Sequence, residues 1–427
     1  VRGHGLGLKK EKESMKSSTR SLTEGPLAKQ ILLVSLPLAL SNLLQVLFNM
    51  SGVAVVGRFA GSTALGAVGS TSIFVTLFTG FLIGLGNGIN VLVARFYGAR
   101  HPDDVHDTVH SALIVSLIAG VILLVVGLLG SPAMLRLLNT KEDLLPGAIL
   151  YLRVYFLGMP ALALYNFGNA VFSAIGETKK PLYILSFAGV LNILLNLFFV
   201  IVCNLDVAGV ALATIISQTV SACMVTRMLM KEEGALHLDL HHLGFHMGAL
   251  KQILLIGLPA GLQSTVFSLS NVVIQSAINS FGSTVVAGSS ASANLEGFVY
   301  TAMNAFSQAA VTFTSQNMGA RKYQNLNRVV LNCLLCAIVT GVVLGGGAVL
   351  AGTQLLHFYS SDAAVIAAGY ERLRVICGTY LLCGIMDTLA SSLRGLGYSV
   401  LPMVVSLVGS CLLRLVWIAT IFQLNRT

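Results

Sequence analysis

Charged residues are scarce in this chain. Asp, Glu, Lys and Arg make up 10% of its 427 residues, whereas soluble globular proteins carry roughly 25%. So few charges cannot cover a water-exposed surface, and the mean hydropathy of +0.82 agrees with that deficit. The shortage excludes a soluble globular protein and predicts an integral membrane protein.

The sequence also lacks the motifs of several enzyme classes. It contains no GxxxxGK loop followed by Ser or Thr, no HExxH and no pairing of a nucleophile with a base, so we expect no enzyme. Its seven cysteines lie almost entirely in apolar runs, which argues against a secreted disulfide framework. We expect no cofactor and no metal, and any transport would draw its energy from an ion gradient or from a partner.

Histidines are few, but four of them cluster in the longest internal polar stretch, Lys231–His246. These are His237, His241, His242 and His246. Their spacing would suit a metal on a helix, but no cysteine or carboxylate constellation accompanies them. We interpret the stretch as a solvated linker.

Long apolar runs are what the chain does contain. Runs of about 20 residues cross a ~30 Å hydrocarbon layer as helices, and continuous rather than alternating apolar residues argue against a barrel. The sequence therefore predicts an all-α polytopic membrane protein. The predicted spans are 29–50, 64–91, 108–130, 147–171, 181–202, 208–229, 251–279, 290–314, 327–352, 369–391 and 401–423. Pro160 lies in the middle of the fourth and predicts a kink.

The two halves of the chain repeat each other. Lys29–Pro37 recurs as Lys251–Pro259 at an offset of 222, and Gly98–Arg100 recurs as Gly319–Arg321 at an offset of 221. A nearly constant offset indicates a duplicated half-protein, and membrane transporters are often built from two repeats with the substrate site between them.

The repeat divides the chain into four parts. We predict a polar basic tail at 1–28, an N-lobe of six helices at 29–230, an inter-lobe linker at 231–250 and a C-lobe at 251–427. Only five helices are expected in the C-lobe, because the sequence stops at Thr427, where the repeat would place a twelfth helix. The expected fold is two pseudo-symmetric lobes around a central cavity.

Positive charge is distributed unevenly between the two sides of the membrane. If the N-terminus is cytoplasmic, most of the 26 Lys and Arg residues fall on the inside, as the positive-inside rule requires. The net charge of +9 then reflects topology and contact with anionic lipid rather than nucleic-acid binding. We expect a monomer in the plasma (inner) membrane with a cytoplasmic N-terminus.

Glu296 lies early in the eighth predicted span, and Asp387 lies well inside the tenth. Ionisable groups inside a membrane are costly and are candidates for function, so both are candidate cation-coupling residues. The alternative is a carboxylate satisfied by Ser or Asn neighbours near an interface. Arg414 also lies within a span, and we expect it to form a structural ion pair.

Several amides lie within the spans as well. One repeat length before Asp387 the sequence has Asn166, a polar but uncharged counterpart. Such amides could line an aqueous cavity or bridge neighbouring helices. The candidate cavity residues are Asn42, Asn49, Asn166, Asn192, Asn196 and Gln308. The stripes Gly80–Gly84–Gly88 and Gly341–Gly345 predict close helix packing.

Several motifs resemble the multidrug and toxic compound extrusion (MATE) family. They are Leu44–Asn49 and Val56–Phe59, Phe172–Pro181, Phe306–Gln308, Gln316–Arg321 and Arg394–Gly397. The resemblance implies twelve helices in two lobes with a V-shaped cavity. It also implies export of organic cations coupled to H⁺ or Na⁺ entry by alternating access.

The chain departs from that family at its N-lobe acids. Many members carry an Asp shortly before the motif at Val56–Phe59, where this chain has Gly52, and another in the fifth helix, where it has Asn192 and Asn196. The family's C-lobe acids map onto Glu296 and Asp387. Two other functions stay open, a flippase for a lipid-linked precursor and a non-transporting fragment.

Overall fold

The computed structural model describes residues 21–424, and its regular secondary structure over that range is entirely helical. The tail predicted for 1–28 lies mostly outside the described residues. The α-helices of the first half are α1 (Leu27–Val55), α2 (Gly61–Gly98), α3 (Pro102–Leu137), α4 (Leu145–Leu157), α5 (Met159–Ala174), α6 (Lys179–Leu197) and α7 (Asp206–Lys231). Short π-helical segments, Val56–Ala60 and Phe198–Val202, follow α1 and α6.

The second half repeats this order. Its α-helices are α8 (Met247–Asn279), α9 (Ser283–Gly319), α10 (Gln324–Leu350), α11 (Gly352–His357), α12 (Ala363–Gly395), α13 (Val400–Ser406), α14 (Leu413–Ala419) and α15 (Ile421–Leu424). A π-helical segment, Leu407–Leu412, joins α13 to α14. Each of the eleven predicted spans coincides with one of these helices or with a short series of them.

Helix length and hydropathy agree with a membrane protein. Within residues 21–424, eight helical stretches are long and apolar enough to cross a membrane, or nine if the bent pair α4–α5 counts as one span. The first stretch, Leu27–Gly98, has 72 residues, about 108 Å at ~1.5 Å per residue, and so holds two spans. They meet at Gly61, whose φ of 91° is readily adopted only by glycine.

The predicted kink in the fourth span is confirmed. Helices α4 and α5 meet at an angle of 48°, with Gly158 at the break and Pro160 in the first turn of α5. Proline lacks the N–H that would continue the preceding helix. The bend separates α4, which packs on α7, α3 and α2, from α5, which carries Asn166.

The two lobes contact each other through two equivalent pairs of helices. Helix α2 packs on α8, and its repeat counterpart α9 packs on α1, as a two-fold pseudo-symmetry requires. The glycine stripe of α2 makes this possible, because a Cβ at Gly84 would overlap the backbone of Gly261, and one at Gly88 would overlap that of Ile253. The predicted close packing is thus confirmed, and it joins the two lobes.

The segment between α7 and α8 is mostly exposed, including the four clustered histidines, but two of its leucines anchor it to the N-lobe. Leu236 and Leu238 are buried in the same core cluster as Val105 and Val109 of α3. The fully buried ring of His110 donates from Nδ1 to the His106 carbonyl (2.8 Å). The inter-lobe linker predicted at 231–250 comprises residues 232–246, because α7 ends at Lys231 and α8 begins at Met247.

Histidines hold this linker in place. The Nε2 of His110 accepts from the Asp239 N–H (3.1 Å). The backbone N–H of His241 and the side chain of His242 lower the pKa of the Asp239 carboxyl. No group of three or more potential ligands for a metal occurs within residues 21–424.

Candidate functional site

A cavity of about 570 Å³ lies between the lobes. Its walls come from α1, α2 and α5 on the N-lobe side and from α8, α9, α12 and α14 on the C-lobe side. The N-lobe wall is rich in amides, whereas all formal charges are on the C-lobe wall. The polar and aromatic lining residues include Asn42, Gln45, Asn87, Asn90, Tyr165, Asn166, Asn169, Gln263, Phe267, Asn271, Tyr300, Asn304, Gln308, Tyr380, Asp387, Arg394 and Arg414.

The cavity is built from equivalent positions of the two repeats. Asn166 and Asp387 are related by the offset of 221, and both line the cavity. The same holds for several further pairs, among them Asn87 with Gln308 and Thr79 with Tyr300. The duplication therefore supplies two matching walls, and the difference between them is one of charge.

Asp387 is the only carboxylate among the residues that line this cavity. It is half-buried on α12, and the Tyr300 hydroxyl donates to its Oδ2 at 2.8 Å. None of the ion pairs within 4 Å in residues 21–424 includes Asp387. Its charge is therefore free to interact with a proton, a metal cation or a cationic solute in the cavity.

Helix α12 presents one polar face to the cavity. Residues seven apart lie on the same side of an α-helix, about 10 Å apart along its axis. Tyr380 and Arg394 are seven residues before and after Asp387, and all three line the cavity. This spacing is the sequence signal that could have identified Arg394, which we did not predict as a cavity residue.

The predicted cavity amides divide into two groups. Asn42, Asn166 and Gln308 line the cavity, whereas Asn49, Asn192 and Asn196 are not among its lining residues. The last two bond to each other, with Asn196 Nδ2 donating to Asn192 Oδ1 at 3.0 Å.

Asn196 lies instead between α6 and α1. It is buried, and a Cβ built on Gly52 would lie 3.6 Å from its Nδ2. The two N-lobe positions at which the family resemblance implies carboxylates are therefore neighbours. Here they hold a glycine and an amide, so this part of the N-lobe has no charge.

Glu296 is not among the residues that line the cavity, and its coupling role stays a prediction. Its two oxygens accept from Arg372, Oε1 from Nε at 3.0 Å and Oε2 from an Nη at 3.1 Å. Ser292 donates to Oε1 at 2.7 Å. The glutamate side chain is only 4% exposed. A buried carboxylate held by a bidentate guanidinium joins α9 to α12 and has no free charge for a transported ion.

Arg414 does not form the predicted ion pair. Its Nη1 donates to the Asn271 side-chain oxygen at 3.0 Å and to the Ser270 hydroxyl at 3.4 Å, both on α8. No carboxylate within residues 21–424 lies within 4 Å of it. The guanidinium lines the cavity instead. Hydropathy predicts that Arg414 lies within a membrane span, but it does not identify the residues that its side chain contacts.

One end of the bundle, which we call the basic end, is closed by contacts between the lobes. It is defined by Arg95, Arg100, Arg321 and Lys322, which surround a second cavity of about 780 Å³. Gln316 of α9 donates to the carbonyl of Ala174, at the end of α5 (2.6 Å).

The segment before α1 crosses this end. Glu24 accepts from Arg100 of the N-lobe at 3.4 Å and from Lys322 of the C-lobe at 3.1 Å. Lys322 and Asn325 also donate to the Thr23 carbonyl. The segment therefore ties the two lobes together at the basic end.

A duplicated helical membrane protein with a polar cavity between its halves has the architecture of a transporter. The MatE family model matches residues 37–198 and 259–420, two stretches related by the repeat offset. The chain therefore belongs to the MatE (MATE) family.

Known proteins of similar sequence and structure agree. The probable multidrug resistance protein YpnP of Bacillus subtilis is 28% identical, over 92% of this chain and 88% of its own length. The FAD transporter of Shewanella oneidensis is 23% identical, over 92% and 88% respectively. A solved outward-facing MATE family transporter of the MOP superfamily superposes with a TM-score of 0.86 at 22% identity, over 92% of this chain and 87% of its own.

Proposed function

We propose that the chain is a multidrug exporter that moves organic cations out of the cell in exchange for H⁺ or Na⁺. In this proposal Asp387 binds either the coupling ion or the substrate. The single observation that carries it is the position of Asp387, a carboxylate without an ion-pair partner in the cavity between the repeats. Relatives named as multidrug resistance and multidrug export proteins support drugs as the substrates.

Competition for one carboxylate couples the two movements. An ionised Asp387 attracts a cationic solute, and protonation or a bound Na⁺ cancels that attraction. The coupling ion arriving from outside therefore releases the drug, and the drug arriving from inside displaces the ion. A transporter that binds one or the other, but never both, exchanges them across the membrane.

Alternating access uses the pseudo-symmetry of the lobes. The contacts at the basic end hold that end closed, and opening it requires the lobes to separate there. We propose that the basic end faces the cytoplasm, as its arginines and lysines favour, in the plasma membrane. One chain encloses the whole cavity, so we propose that the monomer is the transporting unit.

The test is efflux of ethidium from proteoliposomes, with a pH gradient or a sodium gradient imposed alone. Asp387→Asn is expected to abolish gradient-driven efflux because it removes the shared charge. Glu371→Gln is the matched comparison, since that exposed carboxylate pairs with Arg374 outside the cavity, and it should retain coupled efflux. Coupled efflux by Asp387→Asn at the normal rate would contradict the proposal. The gradient that drives efflux identifies the coupling ion.

A further inference from the structure

The cavity carries more positive than negative charge. Among its lining residues the charged side chains are Asp387, Arg394 and Arg414. The net charge is therefore positive even when the carboxylate is ionised. A purely cationic solute gains from Asp387 but is repelled by two guanidinium groups. The proposed function explains the carboxylate and leaves the two arginines unexplained.

Neither arginine forms an ion pair within 4 Å among residues 21–424. The charge of Arg394 does interact with that of Asp387 at longer range, whereas Arg414 has no such acidic neighbour on the cavity wall. A guanidinium has five N–H donors and no acceptor. The partners of Arg414 are two neutral oxygens, on Ser270 and Asn271. Arg394 donates to the Gln263 side-chain oxygen, and its buried Nε has no partner. Charge-assisted hydrogen bonds are stronger than neutral ones, so each group retains capacity for an acidic ligand.

Arg414 and Asp387 lie on adjoining walls of the cavity. Ser410 is one helical turn before Arg414, and its hydroxyl lies 3.4 Å from the sulfur of Met386. Met386 immediately precedes Asp387 in α12. The segment that carries Arg414 thus packs directly beside the residue that carries the carboxylate. One small molecule in a cavity of about 570 Å³ can contact both groups.

The N-lobe wall adds no charge of its own. Its amides, among them Asn42, Asn87 and Asn166, present both donors and acceptors. Aromatic rings of Phe267, Tyr300 and Tyr380 cover part of the opposite wall. The charges of the substrate are therefore recognised by the C-lobe alone.

We infer that the preferred substrates are zwitterionic amphiphiles, whose cationic centre lies at Asp387 and whose acidic group is bound by Arg414. The inference rests on the proposed function for the role of Asp387. The coupling ion competes with the cationic centre of the substrate for Asp387. Arg414 binds the acidic group of the substrate whether Asp387 is protonated or ionised. Arg414 is thus a specificity-determining residue and not a coupling residue.

Two dyes that differ in one acidic group test the inference. Rhodamine B carries a cationic ring system and an ionised carboxylate at neutral pH, and its ethyl ester lacks the carboxylate charge. Binding to the purified chain is followed by fluorescence polarisation without any gradient. We expect the chain to bind rhodamine B about tenfold more tightly than the ester, which corresponds to a difference in binding free energy of ~1.4 kcal/mol.

Variants assign that preference to one residue. Arg414→Gln is expected to weaken rhodamine B binding about tenfold. Binding of the ester should be no weaker than in the unmodified chain, because the substitution removes a charge that repels this cation, and retained ester binding also shows that the variant is folded. Arg374→Gln is the matched control, because Arg374 is exposed and bonds to Glu371 outside the cavity; it should keep the preference.

Equal affinities of the unmodified chain for the two dyes would overturn the inference. So would an Arg414→Gln variant that keeps the preference or that weakens both dyes alike. Failure of the proposed function is read separately, from the efflux of Asp387→Asn, because dye binding at equilibrium needs no coupling.

Discussion

Gly98 and Gly319 occupy equivalent positions of the two repeats, and each lies against the backbone of the other's helix. A Cβ at Gly98 would overlap the Gln316 carbonyl, and a Cβ at Gly319 would overlap the Arg95 carbonyl. The pseudo-two-fold axis therefore passes between these glycines at the basic end. The two helices can pack this closely at the basic end because both positions are glycine.

Gly98→Ala is expected to force the lobes apart at the basic end. The overlap is with backbone atoms, which cannot rotate away, and overpacking of this kind costs about 1–3 kcal/mol. Cys383 lines the cavity and serves as the reporter, in a chain whose other cysteines are replaced by alanine. Its labelling by a membrane-impermeant maleimide from the basic side should rise about tenfold or more.

Gly347→Ala is the control for this experiment, because a Cβ there would meet nothing within 4 Å. It should leave the labelling rate unchanged. If Gly98→Ala also labels at the original rate, these glycines do not control closure of the basic end.

Glu24→Lys should open the same end by a different route. The change replaces attraction to Arg100 and Lys322 with repulsion, while stability should fall by only about 1 kcal/mol because Glu24 and Arg100 are each 59% exposed. Labelling of Cys383 from the basic side should increase, and the increase should shrink at high salt because exposed charges are screened.

Glu142→Lys, in the exposed loop between α3 and α4, is the matched charge reversal. It should change neither labelling nor its salt dependence. An equal effect of the two substitutions would mean that net charge, and not the tie across the lobes, is responsible.

Glu296→Gln is expected to destabilise the chain by about 1.5–3 kcal/mol, because it weakens the charge-assisted hydrogen bonds between the buried carboxylate and the partly buried Arg372. The measurement is thermal unfolding of the purified chain in detergent. Replacing both partners, with Glu296→Leu and Arg372→Met, should recover much of the loss, since a well-packed apolar pair avoids the desolvation cost.

A coupling role for this glutamate would give a different result. Stability would then change little, and the double replacement would leave efflux abolished. The two readouts separate an ion pair that holds α9 against α12 from a carboxylate that binds the transported ion.

His110→Phe should release the inter-lobe linker from α3. The ring of His110 accepts from the Asp239 N–H, and a buried donor left without its partner costs about 1–3 kcal/mol. Hydrogen exchange of the Asp239 amide should therefore accelerate by one to two orders of magnitude. His241→Phe is the control, because only the backbone N–H of that exposed residue bonds to Asp239. Unchanged exchange in His110→Phe would exclude the ring as the anchor.

The repeat explains why so much of the fold and part of the cavity could be predicted. A constant offset relates positions that pseudo-symmetry brings to opposite walls, so Asn166 and Asp387 were correctly expected to correspond. Apolar runs define the spans because each helix must satisfy its own backbone within the membrane. Neither argument depends on how a helix is rotated about its axis.

The structure differs from the sequence-based expectations where the rotation of a helix about its axis, or the partner of a side chain, determines the position of a residue. Glu296 is paired with Arg372, which is 76 residues away and belongs to a different span, so hydropathy could not reveal the pair. Asn192 and Asn196 share one face of α6, but that face is turned toward α1 and not toward the cavity. Arg414 was expected to have a carboxylate partner because buried charges usually do, and it faces the polar cavity instead.

The contacts of the inter-lobe linker with α3 restrict how the two lobes can move relative to each other. Leu236, Leu238 and His110 fix its first part to α3, and the backbone N–H of His246, immediately before α8, is bonded to Ser111 of α3 at 3.1 Å. These contacts tie the start of α8 to α3. We therefore expect the smallest displacement between the lobes at this corner, so that two equal halves would move unequally.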